Sequence, residues 1–546
     1  MTMPRTLSLL VLAACASGTS DPTATAPGAD APVDSADAID SGLGPVDTSV
    51  PTDPASCAPA LPERRSYDAA AAARGQSLFV DGTLGSPMVP DLALRNLWAV
   101  WGTGPILADD AYWEAFRDRY GLVQAPWPND DYPLGLHRSG AGTATVNCLL
   151  CHADQVAGEV VIGVGNSRLD LQALWDDLVA LKAVGESLGL PPFELPYELA
   201  ETTAAAGSVD GVGLGMQMSL NYGPPGVDIE THFGAQQAAP WWGMRFKDHV
   251  YSDGTGDVAN HRSMASTLLA FGTPWSELRD LDPTLLDLQA MMGRTEPPPW
   301  PFDPPEPSLV SEGLVIYQRT CAGCHGDLCD PDVGFPDEVV DTRSVGTDPL
   351  RADRWTQAEA SWANISWFGE AGEMRDTDGY QANPLVGVWA TAPYLHNGSV
   401  PTVEALLDSA QRPAIWRRTS KPARADQAGQ VVMGFDYNFE RAYLDDKLGW
   451  DYDELNCGGD HSLPYLDCTP LDPLLDAVLG IPLNTLFSNL LLAWNITNPP
   501  VLTDSDIENR KIYNTAMFSQ GNGGHRFSDV LTDTERRAVI EYLKTL

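Results

Sequence analysis

Basic side chains are scarce in this chain. Lys and Arg number 33 against 74 Asp and Glu in 546 residues, a formal net charge of −41. Such a balance excludes nucleic acid and anionic membrane surfaces as partners, since both repel a polyanion. It fits a well-solvated protein outside the cytoplasm, whether the acidity serves solubility or the docking of a basic partner. Long apolar runs are also missing. Leu7–Leu12, after Arg5 and before Ala13-Ala14-Cys15, forms a short apolar segment broken by Ser8, and it is too short to cross a membrane as a mature helix. Cysteine and histidine are sparse as well, with nine of each, so any clustering of the two carries information.

They do cluster. Cys148-Leu-Leu-Cys151-His152 and Cys321-Ala-Gly-Cys324-His325 are two copies of one pattern. Two thiols three apart, followed at once by an imidazole, form the attachment motif for a c-type haem, in which the sulfurs bond the porphyrin edge and the histidine coordinates iron. A redox Cys-x-x-Cys pair does not need the adjacent histidine, and a zinc site needs a second pair at zinc spacing. Two covalently attached haem c groups are therefore expected, with Cys148, Cys151, Cys321 and Cys324 holding them and His152 and His325 as iron ligands. A bound calcium ion would suit so acidic a chain, but no EF-hand spacing is present.

Haem attachment of this kind takes place outside the bacterial cytoplasm, which agrees with the N-terminus. Residues 1–15 look like an export signal. The Leu-Ala-Ala-Cys ending resembles a lipobox, which would leave Cys15 as a lipidated residue; a plain signal with Cys15 discarded is the alternative. Residues 16–60 are Ala, Pro, Asp and Thr with almost no large apolar side chains and cannot bury enough surface to fold. They read as a tether. The expected location is the periplasm or the outer membrane, with membrane contact only through the lipid. Of the remaining cysteines, Cys457 and Cys468 are spaced for a short-loop disulfide, and Cys57 with Cys329 follows by elimination; free thiols remain open.

A mainly α fold is expected, built as two cytochrome c-like haem domains with long loop-rich insertions and a few short strands. The first, 61–300, opens with a helix over Asp68–Phe79 and is enlarged by a segment rich in tryptophan, where Trp98, Trp101, Trp113 and Trp127 read as core or haem-packing residues. Val156–Val164 has strand character, Asp170–Leu188 has helical apolar spacing, and Trp241–Tyr251 is either a core strand or a cover for the first haem. The Pro-rich stretch Glu296–Pro307 is the boundary. The second domain, 301–546, starts with a helix capped by Ser308 that leads into Cys321. It ends with one over 532–546, where Thr532 and Glu535 have capping-box spacing.

What faces each iron opposite its motif histidine decides the chemistry. For the second haem the candidates are His525, in the glycine-rich Gly521-Asn-Gly-Gly-His525 turn, His396, Met433 and Met517. The stretch Trp389-Ala-Thr-Ala-Pro-Tyr-Leu-His-Asn-Gly-Ser-Val-Pro-Thr-Val-Glu-Ala-Leu-Leu, with Val345-Gly-Thr-Asp-Pro, Gly-Asn-Gly-Gly-His525 and both haem motifs, resembles the di-haem cytochrome c peroxidase-like superfamily and most of all its rubber oxygenase branch. The resemblance is dense in the second domain and sparse before Cys148. It implies that His525 is the second axial ligand of the His325 haem and that the His152 haem keeps an open side for O₂. It also implies that Trp242 is the tryptophan between or beside the haems and His396 the loop histidine near the second haem, the two candidate catalytic residues. Within that branch polyisoprene is cleaved to carbonyl products. The chain is shorter than the characterised rubber enzymes, and no distal aromatic residue can be placed over the reactive haem. The expected function is a haem-dependent oxidoreductase, oxygenase or peroxidase, whose partners are a redox protein or a small apolar or polymeric substrate with O₂ or peroxide. A di-haem electron carrier with both irons six-coordinate is the competing expectation.

Overall fold

The run Ala69–Ala73 favours a helix, since alanine loses no side-chain entropy on ordering. Helix α1 (Ala69–Val80) buries Ala72, Gly75 and Phe79 on one face. That face meets a later helix, α4 (Asp282–Gly293), which begins with Pro283 in its first turn and buries Leu285, Leu288, Met291 and Met292. The two backbones approach so closely that a Cβ at Gly75 would lie 2.3 Å from the Asp287 carbonyl oxygen. An equivalent pair is formed by α5 (Pro307–Thr320) and the terminal helix α9 (Asp533–Leu543). Here a Cβ at Gly313 would lie 1.9 Å from the Ala538 carbonyl oxygen, and the Tyr317 and Tyr542 rings sit 5.1 Å apart. Each motif histidine thus follows the first helix of a pair crossed at a glycine.

The structure is a computed structural model that describes residues 63–80, 84, 86–102, 106, 109–139, 142–190, 193, 195, 205–209, 234–270, 273–327, 334–418, 442–456, 502–517 and 519–546. The expected signal segment, the tether, Cys57, Cys329, Cys457, Cys468 and Met433 lie outside the described residues. Among the described residues no helix is long and apolar enough to cross a membrane.

The ends of these helices follow local chemistry. Thr532 accepts from the Glu535 amide at 3.3 Å while the Glu535 carboxylate accepts from the Thr532 amide at 2.9 Å, the capping box expected there. At α5 the expected cap is displaced. Pro307 takes the first helical position and Glu306 the cap, and the Ser308 hydroxyl donates to the Glu306 carboxylate instead. Proline has no amide to satisfy, so it suits that first position better than a capping serine does.

Between these helices the chain is less helical than expected. Helices alternate with small two- and three-stranded sheets, so the described fold is mixed rather than mainly α. Strand β1 (Ser86–Pro90) pairs with β3 (Thr143–Val146), which also pairs with β2 (Leu136–Arg138), all antiparallel. Strands β4 (Ala153–Val156) and β5 (Glu159–Ile162) form a hairpin where one strand was expected. Ala157 and Gly158 turn it, both at positive φ, as a two-residue hairpin loop requires.

Helix α2 (Asp109–Tyr120) and helix α3 (Leu171–Ser187) close a core of their own, in which Trp101, Trp113, Phe116, Tyr120, Leu174 and Trp175 pack. Helix α3 is capped by Asp170, whose side chain accepts from the Ala173 amide at 2.9 Å. Residues from late in the chain return to this region. Arg510 grips the Asp170 carboxylate at 2.6 and 2.7 Å, and buried Arg119 bonds both Asp177 and the Leu502 carbonyl. The exchange runs the other way too. Trp242 and Phe246 join the core of Tyr317, Trp389 and Tyr542, while Trp362, Phe368 and Met374 join that of Phe79, Leu149 and Leu285. The Pro-rich stretch falls between the two helix pairs in sequence, and each core takes in residues from both sides of it.

Replacing Gly313 with Ala is expected to destabilise the protein. The helix-propensity gain of about 1 kcal/mol is opposed by overpacking of about 1–3 kcal/mol, and a contact with backbone atoms of the facing helix leaves little room for relaxation. At Gly323, where an added Cβ meets nothing within 4 Å, the same change should be neutral or slightly stabilising. Urea midpoints of the two variants check this.

Candidate functional site

Helix α5 carries the chain to Cys321, whose amide still bonds the Tyr317 carbonyl at 2.8 Å. One further helical turn, Ala322–His325, ends at Gly326, which has a positive φ. The His325 Nδ1 donates to the Asn383 carbonyl at 2.7 Å. That bond fixes the tautomer, so Nε2 carries the lone pair a metal needs. At the first motif Asn147 accepts from the Leu149 amide at 3.0 Å and starts a short turn. The hairpin β4–β5 then anchors His152: its carbonyl accepts from the Gly163 amide at 2.8 Å, and the Gly163 carbonyl accepts from the Trp241 amide at 2.8 Å. The Trp241 ring lies 5.0 Å from the His152 ring, tilted by 31°. Burial pushes the Cys148 thiol up to about 11 and Cys151 and Cys321 to about 12. A disulfide-exchange pair has the opposite environment, one that lowers a thiol pKa. Among the described residues no three His, Cys, Asp or Glu converge as for a bare zinc or calcium ion.

Each motif opens on its own cavity. That of the second motif is about 400 Å³, lined by Cys321, Cys324 and His325, and its apolar floor includes Leu406, Leu407, Val539 and Leu543. His525 also lines it. The turn that delivers His525 is tightly built: Gly524 and His525 both have positive φ, and a Cβ at Gly524 would fall 2.2 Å from the Gly346 carbonyl carbon. The His525 amide donates to the Val345 carbonyl at 2.7 Å. Arg412 staples the turn from below, its guanidinium donating to the carbonyls of Asn522, Gly524 and His525. The His325 and His525 rings end with centroids 6.2 Å apart. Metal–imidazole bonds of about 2 Å, with about 1 Å more from each ring nitrogen to its centroid, place two trans imidazoles about 6 Å apart across one ion. Burial, with His325 and Arg412 nearby, pushes the His525 pKa down to about 4, so the ring stays neutral and free to ligate.

His396 lines the same cavity but is not opposed to His325. Its ring stacks on Tyr380 at 4.0 Å and 15°, and its Nε2 is buried without a hydrogen-bond partner. Met517 is not among the residues lining either cavity.

The first-motif cavity is about 290 Å³ and differs in kind. Cys148, Cys151 and His152 line it, and no second histidine does among the described residues. Met244, Met264, Met292 and Met374 present thioethers there, and Lys247 and Arg351 present cations. Tyr251, at φ 72°, also faces it, a strained backbone of the sort that collects at functional sites. Trp242, the expected catalytic tryptophan, lines neither cavity. It is buried in the second core with its indole donating to the Val386 carbonyl at 2.8 Å, and its neighbour Trp241 faces the first cavity instead. A turn at 241–246 sends alternate aromatic side chains to different cores, a choice that adjacent tryptophans in the sequence do not reveal.

The residues fit haem. A porphyrin needs apolar walls with polar groups for its two carboxylates, and Thr255 Oγ1 and Trp355 Nε1 in one cavity, with Thr347 Oγ1 and Ser528 Oγ in the other, are buried polar atoms without protein partners. Gln237, Ala238, Ala239, Pro240 and Ser252 line both cavities, so the two sites share a wall. Lys247 and Tyr251 belong to the stretch Trp241–Tyr251, expected as either a core strand or a cover for the first haem, and both line the His152 cavity; sequence reasoning missed Asn383 and the pairing of α4 with α1. Only α4 left a signal, the helical spacing of Leu285, Leu288 and Met292.

Comparison with known proteins agrees with this chemistry. A family model described as RoxA-like, cytochrome c-like matches residues 379–417, the segment that contains Asn383, His396 and Arg412. An uncharacterised protein, y4iJ, of Sinorhizobium fredii is 27% identical over 222 residues, covering 30% of this chain and 34% of its own length. A second uncharacterised protein of that organism, y4iM, is 32% identical over 219 residues, covering 35% of this chain and 48% of its own. The chain thus spans less than half of either relative. Residues 379–417 are thus similar to a RoxA-like cytochrome c segment, a likeness that agrees with haem c as the group the motifs would hold.

Burial, with Arg351 adding to it, pushes the His396 pKa from its ordinary 6.5 down to about 3. Its neutral form is therefore the native one, and its contribution to stability is complete above pH 6.5 and lost as pH falls toward 3. Across that window the unfolded chain binds one more proton here, a slope of about 1.4 kcal/mol per pH unit. His396→Phe keeps the stack on Tyr380 and removes the titration. Its urea midpoint should fall less steeply than that of the parent between pH 6 and 4, and equal slopes would show that His396 does not titrate from a buried neutral state.

Proposed function

We propose that the chain is an exported di-haem c-type cytochrome acting as an oxidoreductase, in which the His325 haem relays electrons and the His152 haem is the reactive one. The observation that carries this reading is the inequality of the two cavities: two imidazoles face each other at 6.2 Å in one, and among the described residues a single histidine lines the other. Once attached, the haems supply one-electron exchange and, where a coordination position is vacant, activation of O₂ or peroxide. The protein's own part is to hold ligands and exclude water. Asn383 orients His325, Arg412 fixes the turn that presents His525, and Trp241 packs against His152. A RoxA-like segment favours O₂ and an apolar, alkene-like substrate such as polyisoprene; peroxide with a protein electron donor is the other form of the same chemistry. Covalent haem attachment, together with the lipobox-like Leu-Ala-Ala-Cys15 ending, supports a location outside the cytoplasm, in the periplasm or tethered to the outer membrane by lipid on Cys15.

A second reading has its own support. Among the described residues four methionines line the His152 cavity, and histidine–methionine ligation gives an electron-transfer centre. Both irons would then be six-coordinate and the protein an electron carrier.

Electron paramagnetic resonance of the oxidised full-length protein separates these. The catalytic reading expects two haems per chain by pyridine haemochrome assay, one low-spin centre indifferent to cyanide and one centre that changes on adding it. Two low-spin centres unmoved by cyanide, azide or imidazole would leave only the carrier. His525→Ala should convert the indifferent centre to high-spin, and His396→Ala should not. Assays with peroxide plus reduced cytochrome, and with O₂ plus polyisoprene latex, then divide peroxidase from oxygenase.

A further inference from the structure

We propose that Tyr120 is a redox-active residue beside the first haem motif, giving one electron to the His152 haem once peroxide has oxidised it and passing its proton to Asp177. This rests on the peroxide form of the function proposed above. Tyr120 is the last residue of α2 and is fully buried. Its hydroxyl donates to the Asp177 carboxylate of α3 at 2.6 Å, and the Trp101 indole donates to the same hydroxyl oxygen at 3.0 Å. Trp101 is held in turn by stacking on Tyr112, with centroids 5.5 Å apart and planes 7° apart.

A buried tyrosine does not lose an electron alone, because the cation left behind would be an uncompensated charge away from water. It needs a base already hydrogen-bonded to its hydroxyl. Tyr317, Tyr380 and Tyr443 donate to the backbone carbonyls of Gly326, Asp348 and Trp389, and an amide carbonyl does not take a proton. Tyr132 does meet a carboxylate, that of Asp91. Against burial, the bonds from Tyr132 and Arg95 hold that carboxyl below its ordinary range, which makes it a poor base. Asp177 is the opposite case: burial pushes its carboxyl up, even with Arg119 bonded to it at 2.7 Å. Burial also holds the Tyr120 phenol well above its ordinary range, so the proton is there to be passed.

The path to the haem is short in bonds. Cys151, which would hold the porphyrin edge, packs against the core that contains Tyr120 and Trp101. Asn166 bridges the two places: its backbone amide donates to the Cys151 carbonyl at 2.8 Å, and its side-chain amide donates at 3.0 Å to the carbonyl of Gly121, next to Tyr120. An electron leaving Tyr120 crosses two hydrogen bonds to reach the cysteine. In the balance, peroxide takes two electrons and two protons to become two waters. Tyr120 supplies one electron and the haems the other, while the two protons come from solvent. The Tyr120 O–H bond breaks, an O–H bond forms on Asp177, and the His152 haem gains the electron. The product is a neutral phenoxyl radical whose oxygen accepts from the Trp101 indole.

The test is electron paramagnetic resonance of the full-length, haem-loaded protein, rapidly frozen after mixing with peroxide, with haem absorption followed in parallel. The parent should give a free-radical signal, and ring-deuterated tyrosine should narrow it, which marks it as tyrosyl. Tyr120→Phe, which keeps the ring and the Arg119–Asp177 pair, should abolish it. Trp101→Phe removes one donor from the phenoxyl oxygen, so at high field it should keep the radical and raise its largest g value; it serves if the tyrosine variant fails to fold. Peroxide-altered haem absorption without a tyrosyl signal in the parent overturns the inference. So does an unchanged tyrosyl signal in either variant with both haems present. Peroxide that alters the absorption of neither haem would instead overturn the reading on which the inference rests.

Discussion

A metal–imidazole bond needs a neutral ring aimed at one point, and here two such rings are aimed at each other from opposite ends of the second half of the chain. His325 and His525 face across 6.2 Å, and most of the surrounding structure can be understood as what that spacing requires. One ring is placed by the end of α5 and by the Asn383 carbonyl. The other is placed by a strained glycine turn that Arg412 holds through three carbonyls. Helix α9 follows that turn and packs back on α5 at Gly313, so the helix pair and the imidazole pair are mutually dependent. Burial keeps His525 neutral, which is the form that can donate a lone pair.

The first site repeats the helix pair without the imidazole pair. Helices α1 and α4 cross at Gly75 as α5 and α9 cross at Gly313, yet the cavity beside His152 offers thioethers, a strained tyrosine and cations in place of a facing histidine. The same scaffold is thus used twice with different linings. The shared wall at 237–240 means that neither site is set independently of the other.

Part of this organisation is legible in the amino-acid sequence. The two haem motifs state their chemistry in consecutive residues, the Thr532 and Glu535 capping box is local, and the alanine-rich start of α1 follows from propensity. His525 stands out as a candidate because glycines announce a turn able to bring a ring close to iron. The mixed fold is less visible. Val156–Val164 reads as one strand, and its conversion to a hairpin depends on Ala157 accepting a positive φ that its side chain does not favour. Ser308 has the chemistry of a helix cap, but the proline before it takes the first helical position. Trp241 and Trp242 are adjacent in the sequence, yet Trp241 lines the His152 cavity and Trp242 packs in the second core, and nothing local says which side chain goes where.

What the sequence by itself determined is the set of candidate groups: two thiol pairs, each followed at once by a histidine, and a third histidine in a glycine-rich turn, because these depend on residue type and short spacing. Only the tertiary structure decided which histidine opposes His325, which tryptophan lies against His152, and that Asn383 supplies the carbonyl that orients His325. The physical reason is that these choices rest on long-range packing and on backbone carbonyls. A carbonyl oxygen is present at every residue, so the identity of Asn383 could not mark it as the acceptor for His325.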